Sequence, residues 1–165
     1  MRLLITGVPG VGKTALSQRL IGRHPEYVYV NVSELAITEG FTEGYDQAFD
    51  TAMVDEERLL DALEEIVSQN KCLIVDHHSC GRFAVRWFDA VLLLHASTDR
   101  LHARLVERGY SERKIRENIE AEILMVTEED VDDFGDRVIR FICDTPEDQD
   151  AALDFLEDVI AQGCQ

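Results

Sequence analysis

The sequence predicts an α/β fold: a five-stranded parallel sheet flanked by helices, in one domain spanning residues 1–165. Three observations carry that expectation. Five short apolar runs punctuate the chain, segments with helical spacing of apolar residues lie between them, and the first run ends in a glycine-rich turn. Strands that are apolar throughout, rather than alternating, are buried on both faces, and such strands belong to parallel sheets covered by helices. A chain of this length buries roughly 70% of its unfolded surface, enough to fold without a disulfide or structural metal.

The elements follow in order. Residues 1–6 (MRLLIT) read as a buried strand that stops at glycine. Leu16, Leu20 and Ile21 have helical spacing and predict a helix from Lys13 to Ile21. Residues 27–32 (YVYVNV) form the second strand, and Ser33 is the candidate N-cap of a helix over 34–39. Residues 40–51 contain Gly40, Gly44, Tyr45 and Phe49 without a clear period and read as a loop. Leu59, Leu60, Leu63, Ile66 and Val67 mark an amphipathic helix. Residues 72–76 (CLIVD) and 90–95 (AVLLLH) are the third and fourth strands, the latter followed by a helix over about 98–107. Gly109-Tyr110-Ser111 interrupts, and Ile115, Ile119, Ile123 and Val126 define another helix. Residues 138–143 (VIRFIC) are the fifth strand, and Thr145 and Pro146 supply an N-cap and first-turn proline for a last helix to about 162. Ligands of open parallel sheets lie beyond the carboxyl ends of the strands. The glycine-rich turn, Asp76 and Thr145 all fall at such ends and so converge on one crevice.

Charge narrows the function. The 33 acidic and 16 basic residues give a net charge of −17. A field of that sign repels nucleic acid and anionic membranes, which argues against direct DNA binding or membrane attachment and leaves a basic partner open. Only Lys13, Lys71 and Lys114 are lysines. Many acids with few lysines fit a protein that stays soluble in concentrated salt, where screening reaches only about 3 Å at 1 M; an ordinary acidic cytosolic protein is the alternative. Cys72, Cys80, Cys143 and Cys164 form no CxxC pair, and no signal peptide or apolar run of membrane-spanning length is present, so reduced thiols in a cytoplasmic protein are expected. His77-His78-Ser79-Cys80 holds metal-ligating residue types, but no second ligand pair follows and a zinc site is not expected.

The chemistry is concentrated in Gly7-Val8-Pro9-Gly10-Val11-Gly12-Lys13-Thr14, which fits the phosphate-binding loop G-x-x-x-x-G-K-[ST]. Its glycines let backbone N–H groups turn inward around a phosphate, and the following helix adds its positive end. Lys13 reaches the β/γ oxygens of ATP, and the Thr14 hydroxyl binds Mg²⁺. Asp76 ends an apolar run, the pattern of a carboxylate that holds Mg²⁺ directly or through water. His78 either orients water and phosphate or packs the turn. The arginines fall in three groups, Arg82 with Arg86, Arg104 with Arg108, and Arg113 with Arg116. Arg108 precedes Gly109, a hinge from which it can close over the phosphates. Most of the others, Arg116 included, read as partners of neighbouring glutamates on solvated helices.

These residues, together with Tyr29 to Ala36, Gly44-Tyr45-Asp46 and Val54 to Arg58, resemble the small atypical adenylate kinases of the isoenzyme-six type, the nuclear CINAP family of animals. Val75 to Cys80 matches that family's Asp-x-His turn, Arg86-Trp87-Phe88 its Arg-Trp-Phe, and Arg104 to Tyr110 with Asn118 to Ile123 its lid region. The resemblance runs from residue 1 to about 160. It implies a nucleoside monophosphate kinase fold of the P-loop NTPase class, with a monophosphate-binding insert at about 31–54 and a short lid at about 107–117. It implies ATP contacts at Gly10, Gly12, Lys13, Thr14 and Ala15, with Arg108 from the lid and Thr145 near the base. Weak ATPase activity, a role in small-subunit ribosome maturation and a basic ribosomal partner of the S-eleven family are implied as well, and a monomer is expected. In two places the chain departs from the pattern. Ile37 stands where relatives often carry an arginine placed to hold the monophosphate, leaving Arg82 or Arg86 as candidate substitutes, and Ala84-Val85 replaces Pro-Glu before Arg86. The expected activity is phosphoryl transfer from ATP·Mg²⁺ to AMP or another nucleoside monophosphate, with Lys13, Asp76, His78 and Arg108 as catalytic residues. The alternative is an assembly factor switched by ATP, with residual kinase activity. A kinase acting on a small metabolite hydroxyl accounts for the loop but not for residues 76–78 or the lid.

Overall fold

The computed structural model describes residues 1–46 and 51–163. Its centre is a five-stranded, wholly parallel sheet of β1 (Arg2–Thr6), β2 (Val28–Asn31), β5 (Leu73–Asp76), β6 (Ala90–His95) and β7 (Val138–Ile142), in the order β2-β5-β1-β6-β7. The central strands carry apolar residues on both faces. One face packs Leu3, Ile5, Ile74 and Leu92 against α1 (Lys13–Arg23), α4 (Thr98–Glu107) and α7 (Pro146–Gly163). The other packs Leu4, Leu73, Val75 and Val91 against α3 (Glu56–Gln69) and the aromatic group Phe83, Trp87, Phe88 and Phe134. Burial on both faces holds for β1, β5 and β6, whereas the edge strands β2 and β7 are partly exposed, each having a neighbour on one side only. Among the described residues no helix is long and apolar enough to cross a membrane.

Three local expectations change. Within the segment 40–51 expected as a loop, β3 (Thr42–Asp46) pairs with β4 (Thr51–Val54) as an antiparallel hairpin. The β3 side chains are almost all exposed, so no alternation records the strand in sequence. Phe49 and Cys164 lie outside the described residues. The helix α2 (Val32–Thr38) is capped by Asn31, whose side-chain oxygen accepts from the Glu34 N–H at 3.1 Å, and Ser33 lies inside its first turn. Finally, Val126 does not continue the helix of Ile115, Ile119 and Ile123. α5 (Glu112–Ile123) ends at Leu124, Met125 takes the left-handed conformation (φ 54°), and α6 (Val126–Val131) begins anew. Ile123 is exposed there, and Glu122 is buried in its stead because its Oε1 accepts from the Ala96 N–H and meets the His95 Nδ1, each at 3.0 Å.

Candidate nucleotide site

Between β1 and α1 the glycine-rich loop turns on Gly7 (φ 135°), Gly10 (φ 99°) and Gly12 (φ 108°), conformations that L side chains rarely adopt. Each glycine is also pressed from outside. A Cβ at Gly7 would strike the Leu94 carbonyl of β6, and one at Gly12 the Gln149 side chain of α7. At Gly10 it would meet Leu101 Cδ1 of α4 at 2.8 Å. The loop is thus bordered by three other elements, β6, α4 and α7, in a conformation that glycine adopts without strain.

Lys13 opens α1 and folds back over the loop. Its Nζ donates to the carbonyls of Gly7 (2.8 Å) and Val8 (3.1 Å), and the side chain is buried. Burial lowers its pKa from 10.5 to about 8, against the opposing pull of Asp76 and assisted by the charge of Arg108. Thr14, next along, donates its hydroxyl to Asp76 Oδ2 at 2.6 Å across from the end of β5. The same oxygen accepts from the Tyr29 hydroxyl at 3.1 Å and the Asn31 amide at 3.4 Å. Asn31 lies directly opposite Asp76 in the β2–β5 register, which is what puts it there. Burial first, and then the Asp76 carboxylate, push the Tyr29 phenol up to about 12. Tyr29 and Asn31 escape a motif search because their relation to Asp76 exists only once β2 pairs with β5.

A hydroxyl and a buried carboxylate converging beside a phosphate loop fit Mg²⁺, which takes few protein ligands and completes its shell with phosphate oxygens and water. Thr14 and Asp76 would hold it. Among the described residues no cluster of three or more His, Cys, Asp or Glu side chains offers an all-protein metal cage.

Beyond Asp76 the chain enters a second compartment, a cavity of about 590 Å³. It lies between α2, the hairpin and α3, and is walled on the β5 side by His77, His78 and Ser79. That volume is within the usual range for a small-molecule site. His77 is stacked on Phe83 with ring centroids 5.7 Å apart, and burial pushes its imidazole down to about 3. His78 is an exposed residue at the same wall; desolvation of its ring in the crevice and the Lys13 charge hold it below the usual histidine range. Ile37 lines the cavity and is 68% exposed. Arg82 lines it too, paired with Glu56, whereas Arg86 pairs with Glu64 on the exposed face of α3 and does not reach the cavity.

The remaining candidates have distinct settings. Arg108 is exposed at the C-terminal end of α4, followed by Gly109 in the left-handed region (φ 73°) with open space around it. Residues 107–117 comprise that turn and the start of α5, which Ser111 caps. Arg104, one turn back, donates to the Asp144 carbonyl at 3.0 Å, tying the root of this segment to the end of β7. Arg113 pairs with Glu117 along α5. Ala15 is exposed on α1. Thr145 caps α7 reciprocally with Asp148: the Asp148 N–H donates to the Thr145 hydroxyl, and the Thr145 N–H to the Asp148 carboxylate.

Comparison with known proteins gives a consistent outcome. The sequence pattern of the AAA domain family matches residues 3–125. An adenylate kinase isoenzyme 6 homologue of Caenorhabditis elegans is 38% identical over 122 residues, covering 73% of this chain and 66% of that protein. A homologue of the same name from Saccharomyces cerevisiae is 37% identical over 148 residues, 88% of this chain and 75% of that one. Among solved structures, a shikimate kinase from Bacteroides thetaiotaomicron superposes with a TM-score of 0.64 over 98% of both chains at 17% identity, a likeness of fold.

Proposed function

The chain belongs to the adenylate kinase isoenzyme 6 family, and from that premise we propose that it transfers the terminal phosphate of ATP to AMP, giving two ADP. One observation carries the reading. The 590 Å³ cavity is walled by His77, His78 and Ser79, the residues that directly follow Asp76, whose carboxylate accepts from Thr14 of the phosphate loop, so an acceptor seated there would lie beside a donor held by the loop. A simple ATP hydrolase has no need of such a compartment.

The residues divide the work by position. The N–H groups of Gly10, Gly12, Lys13, Thr14 and Ala15 receive the ATP phosphates at the start of α1. Lys13 has three donors; Gly7 and Val8 take two, which leaves one for a phosphate oxygen and fixes the ammonium before the nucleotide arrives. A phosphate beside this buried ammonium favours its charged form, offsetting the burial that lowers its pKa. Arg108 closes from the α4–α5 turn over the transferred group, and Thr145 borders the base. His78 orients the acceptor phosphate or a water. Thr14 and Asp76 would hold Mg²⁺, which when bound would offset charge on the phosphate oxygens. Phosphoryl transfer asks little more of the protein than positioning and charge stabilisation.

The same arrangement supports slow ATP hydrolysis when water occupies the acceptor position. It also accommodates the ribosomal role that the family resemblance implies, in the cytoplasm and as a monomer, with a basic S-eleven protein as partner; a net charge of −17 suits such a partner. Ile37, an apolar side chain at the cavity edge, favours the second reading, an assembly factor switched by ATP in which transfer to AMP is residual. Measuring ADP formation from ATP·Mg²⁺ with and without AMP, CMP, GMP and UMP, in high KCl, separates the two. Strong stimulation by AMP is expected. Hydrolysis indifferent to every monophosphate would leave the assembly-factor reading in place.

A further inference from the structure

We propose that Arg82 is the residue that grips the acceptor's phosphate in this chain, and that Glu56 occupies its guanidinium until the monophosphate arrives. This rests on the phosphoryl-transfer reading and deepens it by assigning the acceptor's anchor.

The chemistry of the cavity leads to Arg82. Ala36, Leu59, Leu60 and Phe83 give it an apolar wall suited to a nucleobase, and Asp46 and Glu56 add negative charge. A nucleoside monophosphate brings close to two further negative charges into a chain already at −17. It needs a cation, and among the described residues that line the cavity Arg82 is the one lysine or arginine. Its planar fork suits a phosphate in a way that a lysine does not. Of the neighbouring arginines, Arg86 lies outside the cavity lining and pairs with Glu64 of α3, and Arg58 lies over the Phe41 ring with its guanidinium carbon 4.8 Å from the centroid.

The ion pair with Glu56 does not block this role. Both side chains remain more than half exposed, at 63% and 56%. An exposed ion pair is worth at most about fivefold in an equilibrium. A charge-assisted contact to a phosphate is worth about ten- to a hundredfold. The phosphate therefore takes the guanidinium from Glu56, and the carboxylate holds Arg82 at the cavity mouth in the meantime. The exchange also sets a threshold: a ligand without a phosphate has nothing with which to displace Glu56.

The test compares the unmodified chain with Arg82→Gln, Glu56→Gln and the double variant. AMP and adenosine binding are read by calorimetry, and the KM values for AMP and ATP in the ADP-forming assay. Arg82→Gln is expected to weaken AMP about ten- to a hundredfold while leaving adenosine and ATP within twofold. Glu56→Gln should tighten AMP about two- to fivefold, and that gain should vanish in the double variant. Both positions are exposed, and unchanged ATP affinity verifies that the variants fold. AMP affinity unaffected by Arg82→Gln, or an equal loss for adenosine, overturns the assignment of Arg82. Failure of the unmodified chain to bind any monophosphate, with ATP still bound, overturns the phosphoryl-transfer reading itself and the assignment with it.

Discussion

On the donor side of the crevice Lys13 is 9% exposed and Asp76 2%, and their partners are backbone carbonyls, Thr14 at the start of α1, and Tyr29 and Asn31 of β2. On the acceptor side Ile37 is 68% exposed, and Arg82 is held by an ion pair open to solvent. His77, His78 and Ser79 of the cavity wall directly follow Asp76, yet the donor side is built on buried partners and the acceptor side on exposed contacts that a ligand can exchange. The difference follows from their tasks. The donor site must stabilise charge that develops in the transition state, which rewards groups already in place. The acceptor site must admit and release a small anion, which rewards weak contacts replaced by stronger ones.

Removing the donor side's fixed charge is the harshest test of that contrast. Lys13→Ala should lower kcat by at least about a hundred- to a thousandfold in the ADP-forming assay while the circular dichroism spectrum stays native. Retained turnover would show that a neighbouring cation does the same work and that pre-positioning of this ammonium is not what matters.

Glycine substitutions probe rigidity without touching charge. Gly7→Ala should cost about 3 kcal/mol of stability, because its φ of 135° is strained for alanine and the new Cβ strikes the Leu94 carbonyl. Gly40, which ends α2 on the acceptor side, also has positive φ (68°), but nothing lies within 4 Å of its Cβ position. Gly40→Ala should cost only about 1 kcal/mol. Equal losses in urea denaturation would mean that the clamp on the phosphate loop contributes nothing beyond backbone strain.

The same asymmetry governs what was legible in the sequence. The phosphate loop is eight consecutive residues with a fixed chemistry, and Asp76 announces itself as a carboxylate closing an apolar run. The central strands are buried on both faces and so carry an unbroken apolar signal. The acceptor side lacks both kinds of signal. Its hairpin exposes nearly every β3 side chain, and the Arg82–Glu56 pair joins exposed residues with no local spacing rule between them. Near the end of α5 the period points inward with Ile123, but the fold buries Glu122 because a carboxylate there satisfies the Ala96 N–H and meets His95. Asn31 and Ser33 are both good caps, and only the path of β2 decides between them.

Alkaline pH should separate the compartments in an unaltered protein. The pKa of Lys13, lowered to about 8 by burial, means that the nucleotide-free protein loses this charge as pH rises through 8, while the unfolded chain keeps it to 10.5. Between those values the unfolded state binds more protons, so this group makes the nucleotide-free fold more stable as pH rises. Affinity for ATP moves the other way, because the ammonium it needs must be recharged, at up to about tenfold per pH unit. On the proposed assignment of Arg82, an arginine that stays charged throughout, AMP should bind almost unchanged from pH 7.5 to 9.5. Parallel losses for both nucleotides would place a shared titrating group between them.

The smallest expected effect asks whether the acceptor side can be improved where the donor side cannot. Ile37 lines the same cavity as Arg82 and is exposed enough that a longer, charged side chain needs no repacking. Ile37→Arg adds a second cation at the rim without disturbing the Arg82–Glu56 exchange. Because a rim arginine acts on the phosphate at longer range than the direct contact assigned to Arg82, the gain is that of an exposed pair, about two- to fivefold in the KM for AMP, with kcat and the KM for ATP little changed. Raising KCl should erode this gain, since added salt shortens the range of exposed charges. A gain that persists undiminished in molar salt would instead mean that the new arginine reaches a desolvated phosphate, and that the rim closes over the monophosphate as tightly as the loop closes over ATP.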